Sequence, residues 1–176
     1  SKKKDFEDYY KSNVLSVMNL IKFAEKRKIK IINLSTISVY DFNSNHKIAE
    51  DDFEIANNML AVTKYIGEKL FQYSAVDIIN LRMTGVLTTN RHMERPWLNL
   101  IINKIRNKKK LKIFNLDTKF NSVIDTKEIY EFIKFVLKNK FISGNYNFMA
   151  NNPLKLIQIL KILKKINNSN SQIINL

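Results

Sequence analysis

Cysteine is absent from the chain, which excludes a disulfide framework and thiolate zinc ligation. Glycine occurs three times, at Gly67, Gly85 and Gly144, and never in a cluster, so no Gly-x-x-Gly-x-x-Gly phosphate cradle is present. The two histidines, His46 and His92, lie far apart in polar stretches without metal-site spacing and are expected to face solvent. No apolar run approaches the roughly 18 residues a membrane span needs, and no signal peptide precedes the first helical pattern. No Ser-His-Asp arrangement stands out. Acidic residues are scarce as well: 16 Asp and Glu face 30 Lys and Arg, a net charge of +14.

What is there suits a globular protein. A chain of 176 residues, 45% hydrophobic and 11% aromatic, can bury a sizeable core. The positive charge invites a polyanion partner. Its residues are scattered, however, in short groups near residues 2–4, 26–30, 108–112 and 161–165. Such groups read as solvated faces or as helix ends, where cations suit the dipole, and a nucleic-acid partner is not expected.

Residues 6–28 show Val14, Val17, Met18, Ile21 and Ala24 at helical spacing, and Leu15, Leu20 and Phe23 widen that stripe, predicting burial on two sides. Residues 29–34 form an apolar run too short for a packed helix that ends in Ser35-Thr36-Ile37-Ser38. This predicts a buried parallel strand with hydroxyls at its carboxyl end, the edge where open α/β sheets bind ligands. A helical pattern over residues 57–73 carries Lys64 and Glu68 one turn apart, a surface pair being the plain alternative for that lysine, and a second buried strand follows at 76–81. Strand, helix and strand with short connections predict a right-handed crossover in a parallel sheet.

Beyond a polar loop at 88–96, a helix is predicted over about 97–107, a strand at 111–114, a turn at 115–118 and a helix over 126–140 with Ile129, Ile133 and Val136 inward. Asn151-Asn152-Pro153 predicts an N-cap with proline in the first turn of a last helix reaching residue 166. Its Leu154, Ile157, Leu160 and Ile162 would face the core or a partner, and the Asn/Ser-rich tail would fray.

Several motifs in this order resemble one family. Asn13-Val14 with Asn19-Leu20 fits an N-V-x-x-x-x-N-L helix, and Ser35 to Tyr40 fits Ser-Ser/Thr-x-x-Val-Tyr-Gly, with Asp41 in place of the glycine. Leu81-Arg82-Met83-Thr84-Gly85-Val86 is similar to a Leu-Arg-x-x-Gly/Asn-Val segment, Phe120 to Ile129 stands where the family has Arg-Asp-Phe-Val-x-Val-Asp-Asp, and Gly144-Asn145-Tyr146-Asn147 resembles a Gly-x-Tyr-Asn strand. From about residue 12 onward the chain is similar to the extended short-chain dehydrogenase/reductases, the NAD-dependent epimerase/dehydratase group. The resemblance implies an α/β fold: a partial Rossmann-like parallel sheet with flanking helices, plus a small C-terminal substrate-side α/β part. Residues 1–87 would be the C-terminal half of the Rossmann-like domain and 88–176 the substrate-side region, with 120–148 returning to the former.

Two departures qualify the activity. The family's proton-transfer tyrosine stands four residues before its lysine, one helical turn away, where the ammonium lowers the phenol's pKa. Here that position is Leu60, which has no proton to move. Tyr65 would point to another face, and Tyr40, at the mouth of the strand, is a poor substitute. The second departure is the missing glycine-rich front half. The chain begins at Ser1 and is read as the C-terminal portion of a longer protein or a truncated relative.

By resemblance, Thr36 matches the hydroxyl residue that hydrogen-bonds the reacting sugar oxygen, Lys64 the lysine that holds the nicotinamide ribose, and Thr84 and Gly85 the substrate-side loop. Asn121 stands where many relatives place an arginine on the nucleotide diphosphate. The first reading is therefore an NAD(P)-dependent sugar-nucleotide epimerase/dehydratase-like protein, truncated or catalytically impaired. NAD or NADP would serve an intact relative and not be bound by this chain alone; the ligand would be a nucleotide-sugar. The resemblance further implies a cytoplasmic homodimer through the helices near Val14 and Lys64. The alternative is a non-catalytic binding or dimerisation module derived from the same family.

Overall fold

The computed structural model describes residues 6–40, 48–52, 57–87, 96–120, 123–140 and 142–176. In chain order its elements are α1 (Phe6–Tyr10), a π-helical turn (Lys11–Leu15), α2 (Ser16–Arg27), β1 (Ile31–Thr36), a 3-10 turn (Ile37–Val39), α3 (Met59–Gln72), β2 (Ile78–Met83), β3 (Gly85–Leu87), α4 (Pro96–Arg106) and β4 (Leu111–Ile113). There follow β5 (Lys119–Phe120), β6 (Val123–Asp125), α5 (Thr126–Lys138), β7 (Gly144–Phe148), β8 (Leu154–Lys155), α6 (Leu156–Ile166) and β9 (Ile173–Asn175). The chain divides into two units, Ser1–Thr84 with Tyr130–Phe148, and Gly85–Ile129 with Met149–Leu176.

In the first unit β1, β2 and β7 form a wholly parallel sheet with β2 in the centre. The apolar run of β2 explains its place, since Ile78, Ile79 and Leu81 are all buried. Asn33, Asn80 and Asn145 fall in one register row, and their amides are hydrogen-bonded across the three strands, Asn33 Nδ2 to Asn80 Oδ1 at 2.8 Å and Asn80 Nδ2 to Asn145 Oδ1 at 2.9 Å. Each strand thereby satisfies an amide that its apolar neighbours could not.

The expected N-terminal helix is found, but a π-helical turn over Lys11–Leu15 interrupts it. Gly67 of α3 lies against this turn: a Cβ there would stand 2.7 Å from the Asn13 carbonyl oxygen. The Asn13 amide also donates to Thr63 Oγ1 at 3.0 Å, so turn and helix are fixed at two points. Of the stripe expected to bury on two sides, Val14 and Ala24 are buried, whereas Leu15, Met18, Leu20 and Phe23 are 37–47% exposed.

The second unit pairs β3 with β6 and β4 with β9 in parallel, and β5 with β8 antiparallel. Its core is Ile105, Leu111, Leu116 and Leu160. Asp125 caps α5: its carboxylate accepts from the Lys127 amide at 2.8 Å while Glu128 reaches back to the Asp125 amide at 2.7 Å.

Here the structure corrects the sequence reading twice. The last helix opens at Leu156 and not after Pro153, because Leu154 and Lys155 stay extended to pair with β5. The first helical amides then find carbonyls in the preceding turn, Leu156 N to Thr118 O at 3.0 Å and Ile157 N to Leu116 O at 2.9 Å. Leu154 and Ile162 are consequently exposed, while Leu160 is fully buried. The tail does not fray, for Ile173–Asn175 adds to β4 and Ser171 is 1% exposed.

Candidate functional site

The carboxyl ends of β1, β2 and β7 gather the first unit's polar side chains. Thr36 closes β1, and its Oγ1 accepts from the Ser38 amide at 3.1 Å, capping the 3-10 turn. That bond uses a lone pair and leaves the hydroxyl proton to donate. The opening of the last strand residue into a hydroxyl-capped turn follows from the Ser-Thr-x-Ser pattern.

Lys64, on α3, sends its ammonium to the carbonyl of Leu34 at 3.2 Å. The Ile31 amide donates to Asp77 beside β2, so Ile31, Asn33 and Ser35 direct their backbone groups to β2 and the alternate residues, Leu34 included, direct theirs to the open edge. The lysine thus reaches over β1 to a free-edge carbonyl two residues before Thr36. Thr36 and Lys64 belong to neighbouring elements of one unit. Leu60, one turn before Lys64 on the same helix face, is 37% exposed.

Burial lowers the pKa of the Lys64 amine below the ordinary lysine range, with the nearby charge of Glu68 opposing the shift. In the interval between the two values the unfolded chain binds more protons, so this group's contribution to stability is complete only above the ordinary lysine pKa and is lost as pH falls through the folded value. In protein carrying 13C-methylated lysines, the Lys64 signal is expected to titrate at lower pH than the exposed lysines. A midpoint equal to theirs would contradict the burial described.

A surface pair of Lys64 with Glu68, the plain alternative for that lysine, is not what forms. Glu68 is 2% exposed and pairs with Arg82 of β2, whose Nη2 lies 2.6 Å from Oε2 and whose Nε is 3.1 Å from the same oxygen. Ser35 donates its hydroxyl to the other carboxylate oxygen. Arg82 Nη1 donates to the Tyr40 hydroxyl and, at 2.7 Å, to the Glu50 carbonyl. Tyr40 in turn donates to Asn147 Oδ1 at 2.8 Å, and the Asn147 amide meets Glu50 Oε1 at 2.9 Å. Burial would depress the guanidinium's pKa, but hydrogen bonds and charge from Glu68 and then Tyr40 raise it overall. For Tyr40 burial is the largest influence and raises the phenol, against the lowering action of Arg82. The Tyr40 side chain, 3% exposed, is thus held between Arg82 and Asn147.

Thr84, just past β2, is 4% exposed, and its Oγ1 is the single buried side-chain polar atom without a hydrogen-bond partner among the described residues. Gly85 follows as the first residue of β3. His46, His92, Asp41, Asn121 and the 88–95 part of the expected loop lie outside the described residues. Among the described residues, no group of three or more His, Asp or Glu could hold a metal ion, and no helix is long and apolar enough to cross a membrane. Sequence reasoning missed the roles of Ser35, Glu68, Arg82 and Asn147. The available signal was Arg82, the one charge in a buried strand, which requires a buried partner.

A parallel strand–helix–strand sheet with hydroxyls at its strand ends is the architecture of the Rossmann-like sugar-nucleotide epimerases and reductases, the extended short-chain dehydrogenase/reductase class. Solved structures show the same fold. UDP-N-acetylglucosamine 4-epimerase from Bacillus cereus superposes with a TM-score of 0.80 at 17% identity, over 100% of this chain and 64% of that one. UDP-glucuronic acid 4-epimerase from the same organism, in complex with NAD, gives 0.82 at 23%, over 100% and 59%. dTDP-4-dehydrorhamnose reductase from Yersinia enterocolitica gives 0.77 at 17%, over 93% and 57%. The chain therefore spans about three fifths of the length of these proteins. A search of curated proteins finds no match. The family described as RmlD substrate binding domain matches residues 3–168, and the chain belongs to it.

Proposed function

We propose that this chain is the substrate-side portion of a sugar-nucleotide epimerase/dehydratase-type protein, and that it is catalytically impaired. The observation that carries the reading is Leu60, standing one helical turn before Lys64 where an acid–base group is needed, while the ammonium of Lys64 is engaged by the Leu34 carbonyl. The residues present do not fit a nicotinamide cofactor by themselves: the three glycines are dispersed and no phosphate cradle can be built from them. Thr36 would donate its free proton to a sugar oxygen, and Lys64 would face a ribose only after leaving the Leu34 carbonyl. Thr84 and Gly85 would line the substrate side, and the unpartnered Thr84 hydroxyl supports a polar ligand there. The absence of cysteine agrees with a cytoplasmic protein.

A second reading rests on a different observation. Leu15, Leu20 and Phe23 before β1, and Met59, Val62 and Ile66 on α3, are large apolar side chains 39–47% exposed. These helices, around Val14 and Lys64, would pair the chain with a second copy, making it a dimerisation module. One preparation tests both readings. NADH titrated into the purified chain is expected to give no saturable fluorescence change at micromolar concentration, which separates the impaired protein from a working oxidoreductase. Sedimentation of the same sample as a strict monomer would end the dimer reading.

A further inference from the structure

The net charge is unevenly divided. The unit made of residues 85–129 and 149–176 holds fourteen Lys and Arg against four Asp and Glu, so it carries most of the excess. Two of its segments, 96–116 and 154–176, contain no acidic residue at all. These are the segments that fold as α4 with β4 and as α6 with β9.

Both helices end in the same way. Lys108 and Asn168 turn left-handed, with φ of 53° and 45°. The next amide then returns to the helix, Lys109 N to Lys104 O at 2.8 Å and Ser169 N to Lys164 O at 3.0 Å. Because β4 and β9 pair in parallel, the two helix ends lie side by side. They are joined by Arg106 Nε to Asn167 Oδ1 at 3.3 Å and by Ser169 Oγ to the Ile105 carbonyl at 2.6 Å. Basic groups that are separate in the sequence therefore meet at one end of the unit. Lys104, Arg106 and the lysines at 108–110 come from one arm, and Lys164 and Lys165 from the other.

None of these seven cations forms an ion pair with a carboxylate among the described residues. Satisfying the helix ends does not account for them, since two macrodipoles together present only about one negative charge. A surplus of that size on one small surface attracts a polyanion. We propose that the paired ends of α4 and α6 dock the phosphate backbone of a double-stranded nucleic acid, independently of the nucleotide-sugar reading.

The other side chains at this end favour that partner over a lipid surface. Asn107 and Asn168 offer amide donors of the kind that bond phosphate oxygens. Neither connecting turn, 107–110 or 167–172, contains an apolar residue that could insert among acyl chains. Those turns also lack aromatic side chains on which unpaired bases would stack, which favours a duplex over a single strand.

Fluorescence anisotropy with the whole chain and a labelled duplex of about 20 base pairs tests this, with salt varied from about 50 to 200 mM. Four contacted phosphates should weaken binding about 150-fold over that range. The combined variant Lys109→Glu, Lys110→Glu, Lys165→Glu should bind about tenfold more weakly or worse, whereas Lys22→Glu, Lys26→Glu, Lys138→Glu, with the same change in net charge, should stay within about threefold. Should the reversal variant not fold, Lys109→Gln, Lys110→Gln, Lys165→Gln keeps the comparison. No duplex binding, equal losses in the two sets, or capture by phosphatidylserine vesicles without duplex binding would each overturn the proposal.

Discussion

Replacing Arg82 by methionine is expected to destabilise the protein by about 3–5 kcal/mol, because it strands a buried carboxylate. Glu68 is 2% exposed, and without Arg82 it keeps only the hydroxyl of Ser35. The Tyr40 hydroxyl and the Glu50 carbonyl lose a donor at the same time. Urea unfolding measures the loss. The double variant Glu68→Leu, Arg82→Met should recover most of the stability, since a buried ion pair replaced by apolar groups of like volume is often neutral. A deficit below about 1 kcal/mol in the single variant, the value of an exposed pair, would contradict the burial described.

Gly67→Ala should also destabilise, although alanine is the better helix former by about 1 kcal/mol. The new methyl would stand 2.7 Å from the Asn13 carbonyl oxygen and 3.4 Å from Val17 Cγ2. The obstacle is backbone, which cannot rotate away as a side-chain tip would. Separating α3 from the π-helical turn to admit the methyl also stretches the 3.0 Å bond between Asn13 and Thr63. Overpacking of this kind costs about 1–3 kcal/mol, more than the propensity gain. Thermal melting of the variant decides it: a raised midpoint would mean that helix and turn separate without penalty.

Legibility in the sequence followed the range of the forces involved. The strand–helix–strand core of the first unit was readable because short apolar runs and a 3.6-residue period report burial directly, and β1, α3 and β2 lie within about two residues of their predicted bounds. The partner of Glu68 was not legible because a lysine four residues earlier offers a local one, while its actual partner, Arg82, lies on the next strand. The start of α6 was misplaced for a similar reason: Asn152-Pro153 is a strong local signal, but pairing of β8 with β5 holds the chain extended for two more residues. Ile173–Asn175 looked like a tail because three residues carry too little pattern to announce a strand, and only β4 beside them makes it one. Thr36, Lys64 and Thr84 were singled out through motif order; the hydroxyl without a partner and the lysine over the sheet edge are properties of the assembled sheet.

The row of three amides through β1, β2 and β7 marks the register of the sheet. A strand slipped by one residue would turn its amide to the opposite side of the sheet and leave the others short of a partner. Ile-Ile-Asn-Leu occurs in both β1 and β2, and within that shared run the amide is the one polar group that distinguishes the correct offset from its neighbours.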